Sequence, residues 1–188
     1  SRHRAFLHVI LWAAVIFTWT QLKVIYAEPR PYMLYPHEII PWQCAASWGN
    51  PSGHAISSLS LYLYIALDHI FSYRDSVLII NDNGETEWVE SDERCPLWKK
   101  FIYPTLAIVA ALLIGFSRII MGVHTVNQVA YGWFLGLWIA LLFAFVIRLP
   151  VQSHVKELLK LESNSTMAVY RFYSTILYLI FLLVTIII

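Results

Sequence analysis

The sequence predicts an all-α fold, a polytopic bundle of membrane-spanning helices. Three observations predict it: charge is scarce, long apolar runs recur, and the polar stretches between them are broken by proline and glycine. Hydrophobic residues make up 59% of the 188-residue chain and charged residues only 13%, where an ordinary soluble domain carries roughly a quarter. Most of the surface therefore faces something other than water. Eight tryptophans and eleven tyrosines suit the aromatic belts of a bilayer protein. A formal net charge of +1 gives no electrostatic footprint for a nucleic-acid partner. Cys44 and Cys95 form neither a zinc pattern nor a disulfide framework.

Five apolar runs occupy residues 5–24, 55–71, 101–116, 126–147 and 172–188. Crossing the hydrocarbon core takes about 20 helical residues, with every backbone polar group satisfied inside the segment. The first and fourth runs reach that length; the others reach it with flanking polar residues at the interfaces. None is expected to bury a charge of the kind that marks an ion path, which argues against a transporter. The connection 27–51 holds five prolines and closes on Gly49-Asn50-Pro51, so it reads as a loop with turns. Residues 74–100 read as a solvated excursion with a tight turn at Asn83-Gly84. Residues 153–162 form a charged amphipathic stretch suited to the interface.

Five crossings put the 27–51 loop and the short 117–125 turn on one face. Only Lys23, Arg30 and Arg118 of the thirteen basic residues belong to it. The positive-inside tendency then makes the opposite face cytoplasmic and leaves this one in a lumen or outside the cell; the expected location is the endoplasmic reticulum or another endomembrane, with the site facing the lumen. The same topology predicts that the acceptor sequence Asn164-Ser165-Thr166 stays unglycosylated.

Three blocks on the lumenal face carry chemistry. Lys23 ends the first helix, and Arg30-Pro31 follows seven residues on; with Arg118 they can hold a phosphate, arginine by paired donors and lysine as a point charge. In Pro51-Ser52-Gly53-His54 the serine suits an N-cap, the glycine lets the backbone approach an anion, and His54 can protonate a leaving oxygen. In Ser117-Arg118 and His124 a neutral imidazole on a tight turn can attack phosphorus while the cations stabilise the equatorial oxygens. Thr125 and Gln128 also form a capping-box pattern that starts the fourth helix on its own.

Lys23 to Arg30-Pro31, Pro51 to His54, and Ser117-Arg118 to His124 resemble, in order and spacing, the type 2 phosphatidic acid phosphatase (PAP2) superfamily, which includes glucose-6-phosphatase and the sphingoid-base phosphate phosphatases. The blocks span a little over half the chain. The resemblance implies that His124 is the nucleophile, that His54 protonates the leaving alcohol, and that Lys23, Arg30, Ser52, Gly53 and Arg118 bind phosphate. It also implies a phosphate monoester substrate, either sugar or lipid phosphate, with no metal and no other cofactor. Tyr32, Tyr35, Trp42 and Trp48 of the long loop are candidates for substrate contact.

Two departures stand out. Gln128 occupies the position where the family usually has an Asp that orients and polarises the histidine; the glucose-6-phosphatase branch tends to carry Gln there. The family core also has two helices before the one that ends in Lys23, so residues 1–171 read as a partial core, with 172–188 as an additional C-terminal helix. The missing helices, or other membrane subunits, are expected to supply the remaining packing surface beside lipid. The alternative function is a catalytically inactive structural subunit of a larger membrane complex.

Overall fold

The computed structural model describes residues 2–42, 45–74, 76–80, 86–90 and 94–153. It is the helical membrane bundle that the sequence predicts. Helix α1 (Arg2–Tyr26) leads through a single turn, α2 (Pro31–Leu34), and the long loop into α3 (Gly53–Phe71). Helices α4 (Leu97–Ile120) and α5 (Val126–Leu142) follow, α5 continuing through a wider turn at Phe143–Ile147 and on to residue 153. The expected run at residues 172–188, the amphipathic stretch 154–162 and Asn164 lie outside the described residues.

One element corrects the sequence reading. Within the stretch taken as a solvated excursion, β1 (Ser76–Ile80) pairs antiparallel with β2 (Thr86–Glu90), Ser76 facing Glu90 and Ile80 facing Thr86. The β-branched run in β1 and the alternating Thr86-Glu87-Trp88-Val89 are ordinary strand signals, and they flank the expected turn at Asn83-Gly84.

Among the described residues, three helices are long and apolar enough to cross a membrane: Arg4–Leu34, Leu97–Ile120 and Val126–Ser153. The second apolar run, α3, is not one of them. Ser57, Ser58, Ser60, Asp68 and His69 dilute it, and among the described residues α3 packs on α1, α4 and α5, which suits a helix with a more polar makeup. Leu7, Leu11 and Val15 of α1 close against Ile56, Leu59, Leu63 and Tyr64 of α3 and Ile139, Ala140 and Phe143 of the last helix. Gly132 and Gly136 let α5 approach closely: a Cβ at the first would lie 2.9 Å from Ser52 O, and at the second 2.8 Å from Ile56 O.

The expectation that no crossing buries a charge is also corrected. Asp68, 1% exposed, accepts from Arg4 Nε at 2.7 Å and from Arg148 Nε at 3.2 Å. Two guanidiniums share one carboxylate, so this is a clamp joining α1, α3 and the end of α5. It lies at the end of α3 remote from Ser52–His54, where the chain directions also gather the start of α1 and the end of α5.

Candidate active site

The opposite end gathers the last turn of α1, the first turn of α3, the last turn of α4 and the first turn of α5. Each delivers one of the sequence-predicted residues because helices alternate in direction. Between them is a cavity of about 350 Å³ lined by Lys23, Arg30, Gly53, His54, Arg118 and His124, together with Trp12, Trp19, Ala45, Ser47 and Ser57. Six of the eight residues that the sequence points to for catalysis and phosphate binding therefore meet in one space. Ser52 and Gln128 sit behind its wall, both fully buried.

Helix α1 closes at Ala27, whose N–H donates to Lys23 O at 3.0 Å with φ at +44°, a left-handed stop that turns the chain toward Arg30. Lys23, 6% exposed, donates to Trp48 O at 2.6 Å and to Ser47 Oγ at 3.3 Å. Arg30, 3% exposed, spends its planar fork on Ser47 O (2.7 Å), Ser47 Oγ (3.1 Å) and Val123 O (2.9 Å). Ser47 thus orients both cations, which sequence reasoning missed; nothing in a lone loop serine signals it. Arg118, half-buried, meets Met121 Sδ at 3.4 Å.

Ser52 precedes α3 and donates its N–H to Gln128 O at 3.0 Å. Its Oγ is buried with no hydrogen-bond partner among the described residues, and it makes no side-chain cap. The expected N-cap bond is absent, leaving an uncommitted hydroxyl behind the cradle. His54, on the first turn of α3, is exposed to the cavity.

Gly122, at φ +69°, reverses the chain between α4 and α5 in a conformation that favours glycine, and His124 follows. His124 is 3% exposed. Its Nδ1 lies 3.2 Å from Gln128 Oε1 and its Nε2 lies 3.2 Å from Arg30 Nη1. Burial first, and the Arg30 guanidinium second, push its pKa down to about 3. Gln128 completes the expected capping box, donating its N–H to Thr125 Oγ1 at 3.3 Å and accepting the Thr125 N–H at 3.2 Å, while serving the imidazole with the same oxygen. Gly49 backs this amide. A Cβ there would lie 2.6 Å from Gln128 Nε2, so Gly49→Ala is expected to destabilise the protein by about 1–3 kcal/mol through overpacking, read as a lowered unfolding midpoint in detergent.

Of the aromatic residues expected to contact substrate, none lines the cavity. Tyr32 Oη donates to Ala45 O at 2.7 Å and accepts the Ala45 N–H at 3.1 Å, bracing the loop, and Tyr35, Trp42 and Trp48 are exposed. The aromatic wall comes instead from Trp12 and Trp19, which share the Lys23 face of α1.

Residues 4–149 match the PAP2 superfamily. No curated protein matches the chain. Among solved structures, the fold is similar to that of a transmembrane PAP2-type phosphatidylglycerolphosphate phosphatase from Bacillus subtilis, at 23% identity and a TM-score of 0.56. The match covers 77% of this chain and 59% of that one, so this chain spans under two thirds of that protein's length. With most of its length matched, including all three blocks that meet at the cavity, the chain belongs to the PAP2 superfamily.

Proposed function

We propose that the protein is a membrane-embedded phosphatase that hydrolyses a lipid phosphate monoester through a phosphohistidine at His124. The observation that carries this reading is the convergence of Lys23, Arg30, Arg118, His54 and His124 on one cavity. His124 Nε2 attacks phosphorus as the P–O bond to the alcohol breaks, and His54 gives its proton to the departing oxygen. Water then attacks the phosphoramidate with His54 as base, releasing phosphate and restoring the imidazole. Phosphate oxygens compete with Ser47 for Lys23 and Arg30, and drawing Arg30 onto phosphate frees the Nε2 lone pair.

The lipid class is supported by the rest of the lining. Trp12 lies eleven residues before Lys23, about 16 Å down α1 at 1.5 Å per residue, so the cavity leads from the cations along a helix that is apolar enough to meet the bilayer. An acyl chain suits this wall, whereas a sugar needs hydrogen-bond partners that it scarcely offers. The Bacillus subtilis neighbour, a phosphatidylglycerolphosphate phosphatase by name, agrees with a lipid substrate. The distribution of basic residues supports a site facing away from the cytosol.

The test is phosphate release by the protein in detergent micelles from dioleoyl phosphatidic acid, sphingosine 1-phosphate and glucose 6-phosphate. A kcat/KM at least about tenfold higher for a lipid than for the sugar is expected, one extra hydrophobic contact already amounting to that factor. Turnover of glucose 6-phosphate alone overturns the lipid class. A folded protein inert on all three substrates favours the inactive structural subunit.

Because His124 titrates near pH 3, the neutral nucleophile is fully present from about pH 5 upward and is lost only as pH falls through 3. The pH profile of kcat/KM is therefore expected to show no acid limb from His124 between pH 5 and 7; a His124-dependent limb centred near 6.5 in that profile contradicts the buried, Arg30-facing imidazole.

A further inference from the structure

Glu28 is one of only two acids on the face that holds the site, the other being Glu38; it lies within the first motif block and bonds to residues that flank the other two. It sits between Lys23 and Arg30 in the chain. Its Oε2 accepts from Asn50 Nδ2 at 2.6 Å, and its main-chain oxygen accepts from Gly49 N at 2.7 Å, so it ties down the loop that enters Pro51-Ser52-Gly53-His54. Its Oε1 accepts from Gln128 Nε2 at 3.0 Å. The Gln128 amide thereby stands between the Glu28 carboxylate and the His124 ring.

The orientation of that amide is decided by its neighbours. The Thr125 N–H can only donate, and it meets Oε1; the Pro29 carbonyl, 3.0 Å from Nε2, can only accept. A flipped amide loses both bonds. Oε1 therefore faces His124 Nδ1, which has to carry the ring proton, leaving Nε2 bare toward the cavity. Both N–H groups of Gln128 are committed, one to a carboxylate, and a charged acceptor polarises the amide and enriches its oxygen in negative charge.

We propose that Glu28 is a positioning residue for His124: acting through Gln128, it supplies the negative charge that an Asp at position 128 would place directly against the imidazole. This rests on the reading of His124 as the nucleophile. When Nε2 bonds to phosphorus the ring becomes cationic, and a carboxylate one amide away stabilises that charge. The arrangement also accounts for Gln at this position. An Asp there would face Glu28, and two carboxylates in contact cannot both stay ionised. Glutamate and glutamine divide between two residues the charge and the acceptor that one aspartate combines.

Bracing the loop is the competing role, and Glu28→Gln separates the two. The shape is kept, and Asn50 Oδ1, without a partner among the described residues, can turn to accept from the new amide. Two readouts are taken in detergent micelles: kcat and KM on dioleoyl phosphatidic acid, and the His124 imidazole signals by 15N NMR. Glu28→Gln is expected to lower kcat about ten- to a hundredfold with KM within about twofold, and to move the Nδ1–H signal upfield. Glu28→Gln combined with Gln128→Asp is expected to recover most of that loss, while Gln128→Asp alone stays impaired. An Nδ1–H signal unmoved by Glu28→Gln, or a double variant no better than the single, overturns the proposal. If the unmodified protein turns over no lipid phosphate, the proposed function fails, whereas the response of the His124 signal to Glu28→Gln still upholds or overturns the coupling by itself.

Discussion

Replacing His124 with alanine is expected to lower kcat on a lipid phosphate by about four orders of magnitude or more, the scale on which removing a nucleophile acts. The loss is in the chemical step. Lys23, Arg30 and Arg118 remain in the cavity wall, so KM should stay within a few-fold, and an acid-labile phosphoenzyme trapped from the unmodified protein should vanish. Folding should survive, since the imidazole gives up two hydrogen bonds at 3.2 Å, one to Gln128 and one to Arg30, both of whose side chains keep other partners. A variant that keeps a tenth of the activity assigns the phosphoryl acceptor elsewhere.

The second large effect is on stability and lies at the other end of the bundle. Asp68→Asn is expected to destabilise the protein by about 3–5 kcal/mol, the range for breaking a buried ion pair from one side. Asp68 is 1% and Arg148 5% exposed, so the variant puts a neutral amide where a buried carboxylate accepts from both guanidiniums, and weakens the 2.7 Å and 3.2 Å contacts together. Tryptophan fluorescence during thermal unfolding in detergent measures it. Combining Asp68→Leu with Arg148→Met should be milder than Asp68→Asn, because a well-packed apolar replacement removes both members of a buried pair together. A midpoint unchanged by Asp68→Asn means that the clamp contributes nothing to stability.

The two ends of the bundle were unequally legible in the sequence. Lys23, Arg30, His54, Arg118 and His124 stand at helix ends at fixed spacings, and alternating helix direction alone brings such ends together. The clamp at Asp68 was missed because it pairs residues 64 and 80 positions apart, and no local pattern shows that a polar position on an apolar helix will find a partner. Glu28 and Ser47 were missed for a related reason: their value lies in orienting other side chains across loops. Glu28 did leave a signal, as a rare acid on a face read for its cations. The aromatic residues failed in the opposite sense. Tyr32, Tyr35, Trp42 and Trp48 are near Arg30 in sequence, whereas the cavity wall is made by Trp12 and Trp19, which share a helix face with Lys23 at intervals of seven and four. Strand β1 was readable from its β-branched residues, but the surrounding acids dominated the reading.

The modest apolarity of α3 bears on how the protein is made. A nascent segment rich in serine and carrying Asp68-His69 in its last turn partitions less readily into lipid by itself, and an unpaired aspartate at depth opposes its entry. Arg4 has already been synthesised when Asp68 emerges, but Arg148 follows 80 residues later. Stable seating of the helix that carries His54 is therefore expected to need α4 and α5 packed over it, and a chain truncated before Arg148 is expected to be cut by added protease more readily than the longer chain.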